Sequence, residues 1–189
     1  VFDPVTKIVA GDEAKIEAQG IAPLKSRLDA IDALADGPAV AEHLRQSFAK
    51  GEGAIFGFGP SADFKDSAMN IAYVSQAGLG LPDKGYYFDA NKKKEREAYE
   101  LHISKVLELS GIAAADAAKQ AKDVIAFETR LAKVSKSSEE LSRDVSLYYN
   151  PVSVADADKK TPNFQWSKFF AAQGIAEPKM FSMAIPEFH

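Results

Sequence analysis

Apolar residues recur at helical spacing through most of the chain, and proline and glycine mark where each run begins and ends. Ile8, Val9 and Ile16 share a face between Val5 and Gln19, and Gly20 suits the end of a helix. Leu24, Leu28, Ile31 and Leu34 follow from Pro23 and stop at Gly37. Val40, Leu44 and Phe48 then repeat every fourth residue between Pro38 and Gly51. This pattern predicts three helices, each opened or closed by the residue type that favours that boundary.

Past Ala54 the period changes. Ile55, Phe56 and Phe58 alternate with Gly57 and Gly59 up to Pro60, and Ile71-Ala72-Tyr73-Val74-Ser75-Gln76 is rich in strand formers. Two such runs across a polar loop predict an antiparallel hairpin. The stretch from Gly78 to Tyr87 is dense in turn formers and reads as irregular. Helical spacing returns from about Asp89 to Ser110, with Tyr99, Ile103, Val106 and Leu107 on one face. It resumes from about Ala114 to Val134, where Ala117, Ala121, Val124, Ile125, Leu131 and Ala132 form a stripe. The short break at Gly111 makes these two an antiparallel pair. A short helix beginning near Ser153, another over Trp166–Ala172, and an extended run over Met180–Ile185 complete the reading. The fold class is mainly α, with a small antiparallel β-hairpin and a long helix pair in the second half.

Length and composition narrow the class. With 189 residues, 46% hydrophobic and 26% charged, one folded domain over 1–189 is expected, and disorder is excluded. No cysteine occurs, which removes disulfides, thiolate metal sites and a cysteine nucleophile. Lys and Arg total 23 against 27 Asp and Glu, so the formal charge is -4. Such a chain is a poor electrostatic partner for nucleic acid or anionic lipid. No apolar run is long enough to span a bilayer, and Val1-Phe2-Asp3-Pro4 shows no signal-peptide pattern, as a trimmed chain would also read. The chain starts at Val1 rather than methionine, which suggests a piece of something longer.

Candidate chemistry is sparse. Gly51-x-Gly53 follows a helix rather than a strand, so it reads as turn chemistry and not as a phosphate cradle. His43, His102 and His189 are too far apart for a zinc helix. His43 is expected on the surface and His102 at a partly buried edge. Lys92-Lys93-Lys94-Glu95-Arg96 is expected to be a solvated face. Glu128 lies on the apolar stripe of the second long helix, which turns its carboxylate inward. A buried carboxylate needs a cation or several donors, and Arg143 is the candidate partner. Breaking such a pair on one side would cost about 3–5 kcal/mol.

One segment is more specific. Gln76-Ala77-Gly78-Leu79-Gly80-Leu81-Pro82-Asp83-Lys84-Gly85-Tyr86-Tyr87 resembles the Gln-x-Gly-Leu-Gly-Leu-Pro-x-x-x-Tyr-Tyr signature in the N-terminal region of neprilysin-family zinc metallopeptidases. That group includes endothelin-converting enzyme and bacterial oligopeptidase O. Asp63-Phe64-Lys65-Asp66-Ser67 precedes it as in the family, and Tyr99-x-x-His102-Ile103 and Glu128-Thr129-Arg130-Leu131-Ala132 follow. Arg143-Asp144, Tyr149-Asn150, Phe164-Gln165-Trp166 and Pro186-Glu187-Phe188 continue the order. Gly85 departs from the pattern, where an acidic residue is usual. The missing cysteines point to a bacterial member.

The resemblance implies a helical lid domain, the non-catalytic N-terminal part of a zinc metalloendopeptidase, whose end near 180–189 leads toward a catalytic domain. In the family that lid covers the active-site cavity and restricts substrates to peptides. The zinc-binding His-Glu-x-x-His helix lies downstream, so the resemblance assigns no catalytic, metal or cofactor residue here. Zinc belongs to the parent enzyme, and this chain alone is expected to be inactive. The implied partners are the catalytic domain and, in the intact enzyme, peptides. Cut away from that domain, the chain exposes a surface that invites self-association. Relatives imply a parent exported to or beyond the periplasm. The alternative is a stand-alone helical interaction module with the same fold.

Overall fold

The computed structural model describes residues 17–176 and 178–189. The helix expected over Val5–Gln19 lies outside the described residues, apart from 17–19, which are helical. The chain divides into two compact units, Val1–Asp36 and Gly37–His189.

In the first unit a 3₁₀ turn at Ala22–Leu24, with Pro23 inside it, leads into α1 (Lys25–Asp32). Lys25 pairs with Asp29 one turn later at 2.7 Å. The helix stops before Leu34, short of the expected end at Gly37.

The second unit begins with α2 (Gly37–Ala49), so Gly37 opens this helix instead of closing the previous one. Pro38 explains the reversal, because its fixed φ and missing N–H suit a first helical turn. Gly51, at φ 80°, ends α2: its N–H bonds to Phe48 O, and that of Glu52 to Ser47 O. That is the left-handed terminus a glycine adopts without steric cost.

Strands β1 (Phe56–Ala62) and β2 (Asn70–Gln76) form the expected antiparallel hairpin, in register from Phe56↔Gln76 to Ala62↔Asn70. The sheet, however, has four strands rather than two, in the order β1-β2-β4-β3. Here β3 is Pro151–Ser153 and β4 is Met180–Met183. Strand β4 runs parallel to β2 (Val74↔Met183) and antiparallel to β3 (Val152↔Phe181).

Between the hairpin and β3 the chain makes a helical excursion. A one-turn helix, α3 (Gly85–Phe88), precedes a 3₁₀ turn at Ala90–Lys92 and the long α4 (Lys93–Leu109). Helix α5 (Ala114–Val134) lies against α4. Its Ala117, Ala121 and Ala132 are fully buried, and their small side chains let the helices approach closely. After α6 (Ser138–Arg143), opened by a capping box between Ser137 and Glu140, come β3, α7 (Val154–Lys160) and α8 (Trp166–Ala172). Ser153 accepts from the Asp156 N–H at the start of α7, where the helix was expected to begin.

The core lies where α2 and α8 cover one face of the sheet. Phe56, Phe58 and Val74 point there from the strands, and Trp166, Phe169 and Phe170 from α8. Phe48 of α2 stacks on Phe56 with centroids 4.3 Å apart, and Phe58 meets Phe169 edge-on at 5.0 Å. Truncating a fully buried ring such as Phe169 to alanine would cost about 3–5 kcal/mol. No helix among the described residues is long and apolar enough to cross a membrane.

Candidate functional site

The turn-rich segment between β2 and α3 is tied down along its length. Gln76 makes a paired contact with the backbone beyond α5, its amide donating to Lys136 O at 2.8 Å and accepting from Lys136 N at 2.7 Å. Lys84 donates to Ser135 O at 2.6 Å. Asp83 receives the Ser138 N–H and hydroxyl on one oxygen and the Gly85 N–H on the other. These bonds fasten both ends of the loop to the residues that follow α5.

Its middle is held by a buried carboxylate. Glu128, 8% exposed, sits on the inner face of α5, as its helical position requires. Its Oε2 accepts from the Tyr87 hydroxyl at 2.5 Å and the Gly80 N–H at 3.3 Å, and its Oε1 from the Tyr99 hydroxyl at 3.0 Å. Tyr87 Oη in turn accepts from the Leu81 N–H at 3.1 Å. Burial, then the hydrogen bond to Glu128, pushes Tyr99 up to about 12 and Tyr87 further in the same direction. Both phenols therefore stay protonated donors.

Gly80 is required by this crowding. A Cβ there would stand 1.8 Å from Tyr99 Oη and 3.2 Å from Glu128 Oε1. Gly78, at φ 85°, has the second constraint, since a Cβ would come within 3.0 Å of the Ile55 Cα.

The expected Glu128–Arg143 pair is not what forms. Arg143 sits at the exposed end of α6 and bonds Glu139 at 2.5 Å, one turn back on its own helix. Three neutral donors meet the carboxylate's needs instead, so no guanidinium has to be desolvated beside it. The buried arginine is Arg45, 5% exposed. It bonds Glu42 through Nε and Nη2, and Nη1 donates to Phe164 O. A long side chain threading under the 161–165 loop leaves no trace in helical periodicity.

The other candidates also move. His102 is exposed on α4 rather than partly buried, and His43 on α2 is half-buried rather than on the surface. In the basic run, Lys93 and Lys94 are solvated as expected, but Arg96 is half-buried. Its Nη1 donates to Tyr86 O at 2.7 Å and Asp89 O at 2.9 Å, tying α4 to the turn before it. Lys92 lies over the Tyr86 ring, 4.4 Å from its centroid.

Chemically, the cluster is a fastening. The carboxylate oxygens of Glu128 are committed to three donors from two other parts of the chain, so they hold the loop in place. The sequence marked Glu128 as inward and Tyr99 as part of the apolar face. It gave no sign that Tyr87 and Tyr99 converge on Glu128, because a tyrosine at a core position counts as apolar in any hydrophobic pattern.

Comparison with known proteins places this architecture. Residues 10–189 match the N-terminal profile of Peptidase family M13. Endothelin-converting enzyme-like 1 of Rattus norvegicus is 36% identical over 117 residues, which is 60% of this chain and 15% of that protein. The neutral endopeptidase of Lactobacillus helveticus is 28% identical over 161 residues, 85% of this chain and 25% of the relative. This chain thus spans a quarter or less of these curated relatives. The crystal structure of Mycobacterium tuberculosis zinc metalloprotease Zmp1 with an inhibitor superposes with a TM-score of 0.84 at 31% identity, covering 94% of this chain and 27% of Zmp1. The same protein solved in an open state gives 0.83.

Proposed function

Since the chain belongs to peptidase family M13, as part of its N-terminal domain, we propose that it is the non-catalytic lid of a bacterial zinc metalloendopeptidase. In this reading residues 1–189 act together, and the end near 180–189 leads on to the catalytic domain. The lid covers the active-site cavity and admits peptides while excluding folded proteins. Enclosure also removes bulk water from the reaction.

The observation that supports this best is the likeness of 94% of the chain to 27% of Zmp1, a zinc metalloprotease that adopts an open state. A cover that moves must keep its own shape. The loop, pinned to α5 through Glu128 and to the residues just after it through Gln76 and Lys84, gives the second unit that rigidity. Leu101 and Leu109, 72% and 73% exposed on α4, are apolar surface of the kind a neighbouring domain covers.

In this reading zinc belongs to the parent enzyme. Among the described residues no three His, Asp or Glu side chains converge, and His43, His102 and His189 stand on α2, α4 and the C-terminal turn. The metal and the base that activates water are therefore assigned to the catalytic domain.

The test is direct. The purified 189-residue chain should retain no stoichiometric zinc after dialysis and cleave no peptide. One tightly held equivalent, or chelator-sensitive cleavage, would overturn the reading. The coding sequence after His189 should carry a His-Glu-x-x-His run; a stop codon there would favour a stand-alone interaction module.

A further inference from the structure

Helix α5 buries one stripe, Ala117, Ala121, Glu128 and Ala132. Its opposite face is basic. At the helical period of about 3.6 residues, Lys119, Lys122, Arg130 and Lys133 fall on one side, with Ala126 between the two pairs. All four cations are exposed, and the row runs for about 21 Å.

Other helices offset their surface cations internally. Lys93 pairs with Glu97, Lys105 with Glu108, Arg143 with Glu139 and Lys159 with Asp156. Among the described residues the four cations of α5 pair with no carboxylate, although Asp116 and Asp123 border the row on the same helix. Lys119 and Lys122, like Arg130 and Lys133, stand three residues apart, a like-charge spacing that weakens a helix. The helix dipole favours Lys133 in the last turn and gives Lys119 and Lys122 no benefit. Folding does not account for the row, whereas contact with an external anion does.

The row also has an apolar border. Phe127 and Val134, 43% and 37% exposed, lie two turns apart beside it, and the Arg130 guanidinium is 5.5 Å from the Phe127 ring centroid. These features select the partner. The chain has a formal charge of -4, so a broad anionic plane such as a bilayer would meet repulsion outside the row. A sulfated sugar or nucleic-acid strand has no apolar side to lay on Phe127 and Val134. A helix with carboxylates along one stripe and apolar residues along the next meets both features. So charged a face suits a transient, electrostatically guided contact rather than a permanent domain cover.

We propose that the outer face of α5 docks an acidic amphipathic helix carried by another protein. Its carboxylates meet Lys119, Lys122, Arg130 and Lys133, and its apolar residues, seven apart, meet Phe127 and Val134. The surface is distinct from the α4 leucines assigned to a neighbouring domain, and the lid reading neither requires nor supplies it.

The probe is a fluorescent alanine-based helix of about 18 residues. It carries glutamates at the spacing of the four cations and two leucines, seven apart, on the adjoining edge. Its counterpart has glutamine for glutamate. Titrated with the 189-residue chain and followed by anisotropy, the glutamate peptide should bind at least ten-fold more tightly than the glutamine peptide. That preference should shrink as salt rises from about 50 to about 200 mM. Lys119→Gln, Lys122→Gln, Arg130→Gln and Lys133→Gln together should abolish it, with a melting temperature at or above the parent's. Lys94→Gln, Lys160→Gln, Lys168→Gln and Lys179→Gln together remove the same net charge elsewhere and should leave it intact. Phe127→Ser should weaken the glutamate peptide several-fold and spare a version with alanine for leucine. No saturable binding, equal affinity for the two peptides, or an equal loss in the second quadruple variant would each overturn the proposal. So would a first quadruple variant that melts below the parent, which would make the cations structural. Tighter binding to phosphatidylglycerol vesicles or to heparin than to the peptide would assign the row to a lipid surface or a polyanion instead, and would equally overturn it.

Discussion

The hydroxyl of Tyr87 reaches 41 residues along the chain to donate to Glu128 Oε2. That bond joins the end of the signature loop to the middle of α5. Removing it by Tyr87→Phe should destabilise the chain by about 2 kcal/mol, the usual worth of a hydrogen bond to a charged group. Glu128→Leu strands two phenols and the Gly80 N–H, so its urea midpoint should fall further than that of Tyr87→Phe. Midpoints equal to the parent's for both variants would show that the cluster does not hold the loop.

Two glycines separate crowding from backbone effects. Gly80→Ala forces a methyl to 1.8 Å from Tyr99 Oη and must push apart the Tyr99–Glu128 contact. Gly59→Ala, on the hairpin, meets nothing within 4 Å. The first should lower the melting temperature clearly, while the second should shift stability by no more than about 0.5 kcal/mol.

The arginines give a second contrast. Arg143→Ala removes an exposed pair with Glu139 and should change stability by less than about 1 kcal/mol. Arg45→Ala strips a buried guanidinium from Phe164 O and from Glu42, and should cost about 2–3 kcal/mol. Urea denaturation of the two variants side by side checks the ordering.

His189 sets an acid-sensitive window. In the unfolded chain it takes up a proton below its ordinary value of 6.5, but in the folded chain only below about 4. The unfolded state therefore binds more protons between these values, and stability falls as the pH drops through that range. The full effect is about 3 kcal/mol. His189→Gln should flatten the stability profile between pH 6.5 and 4 while leaving the steeper loss below pH 4 intact. There Asp63, Asp144 and Asp156, held low chiefly by the Tyr149 hydroxyl, the Ser146 hydroxyl and Lys159, take up their protons.

How much of this was legible in the residues depends on distance along the chain. Helix α5 could be bounded at Ala114 and Val134 because its stripe, its preceding glycine and its length agree. The β1–β2 hairpin was equally plain, since alternation and turn residues are local signals. Strand β3 is three residues long, and β4 pairs with β2 across more than a hundred residues (Val74↔Met183), so neither association leaves a nearby pattern. The inward turn of Glu128 followed from its place on the stripe. Its partner did not, because tyrosine hydroxyls and a glycine N–H satisfy a carboxylate as well as a guanidinium does. Arg45 was hidden for a related reason: it sits beside Leu44 on α2, and only tertiary packing decides which of two adjacent residues dips inward.

The parallel pairing of β2 with β4 has a consequence for how the polypeptide comes off the ribosome. The α4–α5 hairpin can zip up as soon as it emerges, because its contacts are close in sequence. Val74 and Phe56 must wait until Phe181 and Met183 have been synthesised before the aromatic interior can close around them. During that interval β2 presents an unpaired edge, the state in which nascent chains associate wrongly or recruit chaperones. Translation speed across codons 77–180 should therefore govern the soluble yield of this protein more than the speed across any other stretch.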